Sequence, residues 1–388
     1  MMEKVELYFD SRRKCSEQIE TVNNEPEMSE FESAFLAGLL YKFKPKKIVE
    51  VGIAAGGTTA IILQTLEDIK SLDSSYDYLL FSVDLSESYY RDQSRVSGFL
   101  GDQMASIIGT NNYKKMTGKV LPERIEEIGG EIDFVILDTV HALPGEVLDF
   151  LAIFPFLSSN AIICLHDLTY HYNSLMTENR CSNSVLFNAI VGNRIIDMEQ
   201  KQSIDEVEYP NIGAVQITED TGKYIDGIFC SLTLNWSYVP EQKQLEIYQE
   251  HYQRYYPSYM TKIFQNAIKM ASRNAIFKSN QVKLNEQMIN AVIEKNNDIV
   301  FWGAGNVCKS TLLNEKIFPS SIVDSCDTKI GTTIFGWTIY KASAEFLRNK
   351  FIIITCKECE SIISQLKEWD IYEENYITIW DLCEDKSN

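Results

Sequence analysis

An α/β architecture is expected here: a mostly parallel sheet with helices on both faces, followed by a second, smaller α/β domain. Three features point to it. Short apolar runs that end in an acid or a glycine alternate with stretches of helical spacing. Two of those runs, residues 47–52 and 298–305, enter glycine turns. And 388 residues are too many for one small module, which makes two domains the natural division.

The elements follow in order. Phe31, Phe35, Leu36, Leu39, Leu40 and Phe43 form a helical stripe, and Ser29 with Glu32 has capping-box spacing, so a helix is expected over residues 27–43, ending near Lys44-Pro45. Residues 47–52 read as a buried strand and 58–66 as the helix after it. Further apolar strands are expected at 78–84, 132–138 and 161–167, each ending in Asp. Residues 211–217 and 227–236 read as two strands of a hairpin closing the sheet edge. A helical linker follows, in which Tyr252, Tyr255, Tyr256 and Tyr259 are read as packing residues. A new strand and glycine turn open the second domain, with short strands at 321–324 and 351–355. The expected domains are an N-terminal helical segment (1–44), a principal domain (45–240), the linker (241–297) and the C-terminal domain (298–388).

Composition narrows the function. Thirty-six basic against 55 acidic residues give a net charge of −19, whose mean field repels nucleic acid and anionic membrane, so an anionic ligand needs a local site. The start has no basic region followed by an apolar run, and no segment approaches the roughly 18 apolar residues that span a bilayer. Nine scattered cysteines fit reduced thiols better than a disulfide framework. A soluble, cytoplasmic protein is expected, with its oligomeric state, including a homo-oligomer, left open.

The first glycine turn is Glu50-Val51-Gly52-Ile53-Ala54-Ala55-Gly56-Gly57-Thr58. In an open parallel sheet it lies where a ligand sits, its small residues allow close backbone approach, and Asp84 at the end of the next strand can accept hydrogen bonds from ribose hydroxyls. A dinucleotide fingerprint would need G-x-G-x-x-G, but Ala54 holds the middle position and an acid precedes the first glycine. Glu-x-Gly-x-Ala-x-Gly-Gly instead resembles the first motif of class I S-adenosylmethionine-dependent methyltransferases, which have a Rossmann-like sheet. The resemblance implies that Glu50 organises the loop, that Gly52, Ala54, Gly56, Gly57 and Thr58 pass the methionine part of the cofactor, and that Asp84 binds its ribose. Residues 116–125 resemble the stretch flanking the adenine in that family, which makes Thr117 and Gly118 further cofactor candidates.

Of four histidines, His141, His166 and His171 fall close together, and His251 stands apart; no function is read for His171 or His251. Asp138 and His141 leave one strand end and His166-Asp167 another, so both pairs converge on one cleft beside the Gly52 loop. The pattern D-x-x-H followed by H-D resembles a methyltransferase branch that includes macrolide-sugar and polysaccharide O-methyltransferases. It implies Asp138 and Asp167 as ligands of Mg²⁺ or another divalent cation. Because Leu168 follows Asp167, a third ligand falls to His166, Thr169 or water. A sugar hydroxyl is a weak acid, so a base or a Lewis-acidic metal assists its attack on a methyl sulfonium; His141 is the base candidate, with Asp138 beside it in the catalytic group.

The second turn, Gly303-Ala304-Gly305, has Cys308 where a third glycine would stand and Asp324 at a strand end 19 residues after Gly305. With Gly331 and Gly336 it resembles the Rossmann-like accessory domain of sugar-modifying enzymes, which implies a substrate-handling role; a packing or oligomerisation domain is equally open. Cys356 and Cys359 form C-x-x-C without a second pair to complete a zinc site. The expectation is a methyltransferase acting on a carbohydrate-type or related small-molecule hydroxyl. The alternatives are a sugar C-methyltransferase, an NAD-linked sugar-modifying enzyme using the Gly303 loop, and a non-catalytic scaffold in polysaccharide biosynthesis.

Overall fold

A computed structural model describes residues 4–19, 28–169, 181–197, 203–204, 207–208, 210–279, 284–313, 316–357 and 359–383. The chain forms two compact units, Met1–Ala271 and Ser272–Asn388.

In the first unit, α1 (Asp10–Gln18) precedes α2 (Glu30–Phe43). The capping box forms: Glu32 N donates to Ser29 Oγ at 3.2 Å and Ser29 N to Glu32 Oε2 at 2.6 Å, satisfying two of the orphan amides at the helix start. Then come β1 (Lys47–Val51), α3 (Gly57–Leu72), β2 (Leu79–Asp84), α4 (Phe99–Ile108), β3 (Tyr113–Thr117), β4 (Ile132–Leu137), α5 (Gly145–Ile153), β5 (Leu157–Leu165), α6 (Ser182–Ala189), β6 (Gly192–Ile196) and β7 (Gly213–Ile217). A short hairpin, Ser88–Tyr89 with Asp92–Val96, lies between β2 and α4.

The sheet order is β3-β2-β1-β4-β5-β7-β6, and β7 alone runs antiparallel to its neighbours. The order reverses between β1 and β4, which creates a crevice at their carboxyl ends. Successive β1 residues serve opposite cores: Val49 and Val51 pack on one face, Ile48 on the other. Burial on both faces is why these strands read as continuous apolar runs.

Two expectations are corrected. Residues 227–236 are not a strand; Ile225–Ser231 is a helix, α7, because Ile225, Ile228, Phe229 and Leu232 bury one face at a spacing of three to four. The partner of β7 at the edge is β6 instead. β3 went unread because Tyr-Lys-Lys-Met-Thr is an edge strand with only Met116 buried. The segment read as a linker begins with α8 (Gln242–Tyr255), whose Leu245, Tyr248 and Tyr252 bury in the first unit's core, as do Met260, Phe264, Ala267 and Ala271 after it. Tyr252 and Tyr256 donate to the carbonyls of Leu148 and Leu151, a packing role. Tyr255 bonds Glu126, and Tyr259 is exposed.

The second unit holds the sheet β10-β11-β9-β8-β12-β13, from β8 (Ile299–Trp302), β9 (Ser321–Asp324), β10 (Thr333–Ile334), β11 (Trp337–Lys341), β12 (Phe351–Ile354) and β13 (Tyr376–Thr378). Only β10 is antiparallel to its neighbour. Among the described residues no helix is long and apolar enough to cross a membrane.

Candidate active site

The crevice of the first unit is bounded by the turn after β1 and the turn after β4. Gly52 N donates to Val83 O at 2.9 Å, and Asp138 N to Val51 O at 3.0 Å, which extends the sheet pairing into both turns. Gly52 has φ +94°, and a Cβ there would lie 1.8 Å from the Asp138 carbonyl oxygen, so glycine is required by the close approach of the two turns. Glu50 is buried beneath the loop, accepting from Thr59 Oγ1 at 2.7 Å and Ser82 Oγ at 2.5 Å. Asp84 Oδ2 accepts Ile53 N at 2.8 Å and Ala54 N at 3.3 Å, while Oδ1 accepts Ser86 N at 2.8 Å. The strand-end acid therefore clamps the loop, with lone-pair capacity left for a ligand.

A cavity of about 780 Å³ opens there, within the range of small-molecule sites. Gly52, Ala54, Thr58, Asp84, Asp138, His141, His166 and Asp167 line it. Glu50, Gly56 and Gly57 shape the loop from behind; a Cβ on Gly56 would meet Gly98 and Gly101 rather than the cavity. Thr117 and Gly118 do not line it either. Gly118, at φ +81°, turns towards Glu87, and the next residues, Lys119, Val120 and Leu121, form that wall. Three buried hydroxyls on the lining, Thr58 Oγ1, Ser97 Oγ and Thr139 Oγ1, have no hydrogen-bond partner among the described residues. Thr58 stands in the first turn of α3, where amide dipoles favour an anion. This set fits an amino-acid-bearing nucleoside: Thr58 for its carboxylate, the small-residue loop for its chain and Asp84 for its ribose.

Beside this pocket the histidines and acids converge. His141 and Asp167 adopt left-handed backbone conformations, φ 58° and 55°. His141 Nε2 lies 3.4 Å from Asp167 Oδ2, and Nδ1 lies 3.7 Å from Asp138 Oδ1. His166 Nδ1 lies 3.1 Å from Asp138 Oδ2 and its Nε2 3.5 Å from Glu32 Oε1. Burial opposes charge on His166, but Asp138 and Asp167 overcome it and push its pKa well above the ordinary value. Burial likewise opposes ionisation of Glu32, and the imidazolium prevails, holding the carboxyl at about 2. Asp138 is lowered by the same balance. Both ring nitrogens of His166 thus face carboxylates, Nδ1 towards Asp138 and Nε2 towards Glu32, an arrangement that favours the imidazolium. Among the described residues, the donor atoms that converge within 4.8 Å belong to Asp138, His141 and Asp167, with His141 in the place read for His166. Thr169 is also spent, donating through N and Oγ1 to Asn211 Oδ1.

Residues 49–168 match the family model of the methyltransferase domain. The match lies within the first unit and takes in the Gly52 turn, Asp84, Asp138, His141, His166 and Asp167. Similar solved structures include the O-methyltransferase TomG of Streptomyces achromogenes, involved in tomaymycin synthesis and solved with S-adenosylmethionine (13% identity over 54% of this chain and 90% of that one, TM-score 0.38). Others are an O-methyltransferase of Bacillus cereus with S-adenosylhomocysteine (16%, 53% and 90%, TM-score 0.35) and one of Thermotoga maritima (12%, 53% and 71%, TM-score 0.33). No curated protein matches the chain.

Several residues of the candidate site escaped the sequence reading. Glu146 Oε1 accepts His141 N at 2.6 Å and Thr139 N at 3.3 Å, which fixes the turn that carries His141. Asn211 Nδ2 donates to Glu32 Oε1 and Asp167 Oδ1, both at 2.8 Å. Glu32 signalled only a helix cap, and Asn211 only a loop; no spacing joins positions 179 residues apart. His251 is structural, its Nε2 2.8 Å from Ala152 O, and His171 lies outside the described residues.

The second unit's turn uses the same device. Asp324 accepts Ala304 N (2.7 Å) and Lys329 Nζ (2.9 Å) on Oδ2 and Cys326 N (2.8 Å) on Oδ1. Cys308 is wholly buried in that core, which explains a thiol at the third glycine position. Burial pushes Cys356 up to about 11, the opposite of a reactive thiolate.

Proposed function

We propose that the chain is an O-methyltransferase that passes the methyl group of S-adenosylmethionine to a hydroxyl of a carbohydrate-type or related small-molecule acceptor. One observation carries this reading: His141, set between Asp138 and Asp167, opens on the same cavity as the cofactor loop. In the transfer, the acceptor oxygen forms a bond to the methyl carbon, the carbon–sulfur bond breaks, and its electron pair neutralises the sulfonium. The hydroxyl proton goes to His141. Asp138 and Asp167 stabilise the imidazolium so formed, and Glu146 holds the turn in place through backbone amides.

A second reading rests on the convergence of Asp138, His141 and Asp167 within 4.8 Å. Two carboxylates and an imidazole suit a divalent cation, which when bound would lower the acceptor hydroxyl's pKa. His141 would then be a ligand and not the base. The Rossmann-like second unit is assigned to acceptor handling, supported by its glycine turn held by Asp324.

The test is incubation with isotopically labelled S-adenosylmethionine and a panel of sugar, nucleotide-sugar and phenolic acceptors, with and without a chelator. The base reading expects transfer that survives chelation and is abolished in His141→Ala while S-adenosylhomocysteine still binds. Loss of transfer on chelation, restored by Mg²⁺, selects the metal reading. Near-normal turnover in His141→Ala removes both roles.

A further inference from the structure

Because β7 runs antiparallel to β5, its start, and not its end, lies beside the carboxyl end of β5. Gly213 pairs with Leu165, and the same register carried outward sets Asn211 against Asp167. Asn211 is 5% exposed, and every hydrogen-bonding position of its carboxamide is used. Nδ2 donates to Asp167 Oδ1 and to Glu32 Oε1, both at 2.8 Å, while Oδ1 accepts Thr169 N at 3.0 Å and Thr169 Oγ1 at 2.6 Å. A backbone amide can only donate, so the Thr169 N–H fixes which end of the carboxamide is oxygen. The main-chain carbonyl of Asn211 takes Leu168 N at 2.9 Å. One residue therefore holds both amides that follow Asp167, whose own backbone is left-handed at φ 55°.

The last torsion of an aspartate is soft, so the backbone alone does not decide which carboxylate oxygen meets which neighbour. With Oδ1 tied to Asn211, Oδ2 is left facing His141 Nε2 at 3.4 Å and His166 Nδ1 at 3.8 Å. We propose that Asn211 is a positioning residue of the site, fixing the Asp167 carboxylate in the orientation that presents Oδ2 to His141. Through its second N–H it ties that orientation to Glu32, the capping acid of α2. A carboxamide does this without bringing a charge, which a lysine or arginine in its place would add. Asn211 does not line the cavity and acts through Asp167 alone. What the geometry serves rests on the methyl-transfer reading, and the assignment holds whether His141 is the base or a metal ligand, since Asp167 Oδ2 is used in both.

The experiment compares the full chain with Asn211→Ala, which removes the carboxamide, and Asn211→Asp, which keeps its shape and its acceptor for Thr169 but loses both N–H donors. Circular dichroism and unchanged calorimetric binding of S-adenosylhomocysteine establish that each variant keeps the fold; Asn211→Ser, which retains one donor, replaces a variant that does not. Crystal structures with S-adenosylhomocysteine give the separation of Asp167 from His141, and labelled S-adenosylmethionine with the sugar, nucleotide-sugar and phenolic panel gives kcat and KM. In the variants Asp167 Oδ2 is expected to move from His141 by about 1 Å or more. In parallel kcat should fall about 10- to 100-fold, the scale of removing a residue that orients a functional group, with the acceptor KM within about twofold of the wild type. An unmoved Asp167, or wild-type kcat, in a folded variant overturns the assignment. So does a loss carried by KM, which marks a merely structural role. No transfer by the wild type to any acceptor removes the methyl-transfer reading, and the Asp167 separation alone then decides the positioning claim.

Discussion

Replacing Glu32 by Gln tests the buried charge network with little change of shape. Glu32 is 3% exposed, accepts from Asn211 and Ser29, and faces His166 Nε2 at 3.5 Å. Its carboxyl drops from an ordinary 4.5 to about 2. At about 1.4 kcal/mol per pH unit, that difference corresponds to about 3 kcal/mol of folding free energy held by the ionised form. The folded-state pKa is depressed, so this stability is fully present above pH 4.5 and is lost as pH falls towards 2. Glu32→Gln should therefore destabilise the first unit by about 3 kcal/mol at pH 7, with the deficit shrinking to about half that by pH 3. Urea unfolding followed by far-UV circular dichroism, with hydrogen exchange in β1 and β4 to locate the loss, measures both values. A deficit below about 1 kcal/mol at pH 7, or one unchanged between pH 7 and pH 3, would refute the electrostatic account.

Three further outcomes are expected. Gly52→Ala places a methyl group 1.8 Å from the Asp138 carbonyl at a φ of +94°, so donor binding should vanish, as calorimetry with S-adenosylhomocysteine would record. Thr58→Val removes a buried hydroxyl that has no hydrogen-bond partner among the described residues; it should raise the Kd for the same compound by about 10-fold while leaving the melting temperature in place. Asp324→Ala removes the acceptor of the Ala304 and Cys326 amides at the second glycine turn, costing about 1–3 kcal/mol. Loss of the near-UV signal of the stacked Trp302–Trp369 pair, 5.3 Å between centroids, at lower denaturant than in the wild type would report it.

Elements with strong local signals were legible in advance. The box formed by Ser29 and Glu32 marked the start of α2, and the apolar runs into Gly52, Asp84, Asp138 and Asp167 marked four central strands, because burial on both faces removes any need for polar alternation. Edge strands were harder. β3 is half solvated and lacks an apolar run, and residues 227–236 combine β-branched and aromatic side chains that suit a strand with a spacing that suits a helix. Core contacts settled the second case in favour of the helix.

The amino-acid order alone dictates that two acid-bearing glycine turns and two histidine–aspartate pairs reach strand ends, since period, turn chemistry and strand polarity are local properties. It cannot say which charge faces which. His166 came to lie between Asp138 and Glu32, with its pKa pushed up, only when α2 brought Glu32, and the turn before β7 brought Asn211, against the ends of β4 and β5. Protonation depends on distance and burial through space, and both are consequences of packing among segments far apart in the chain.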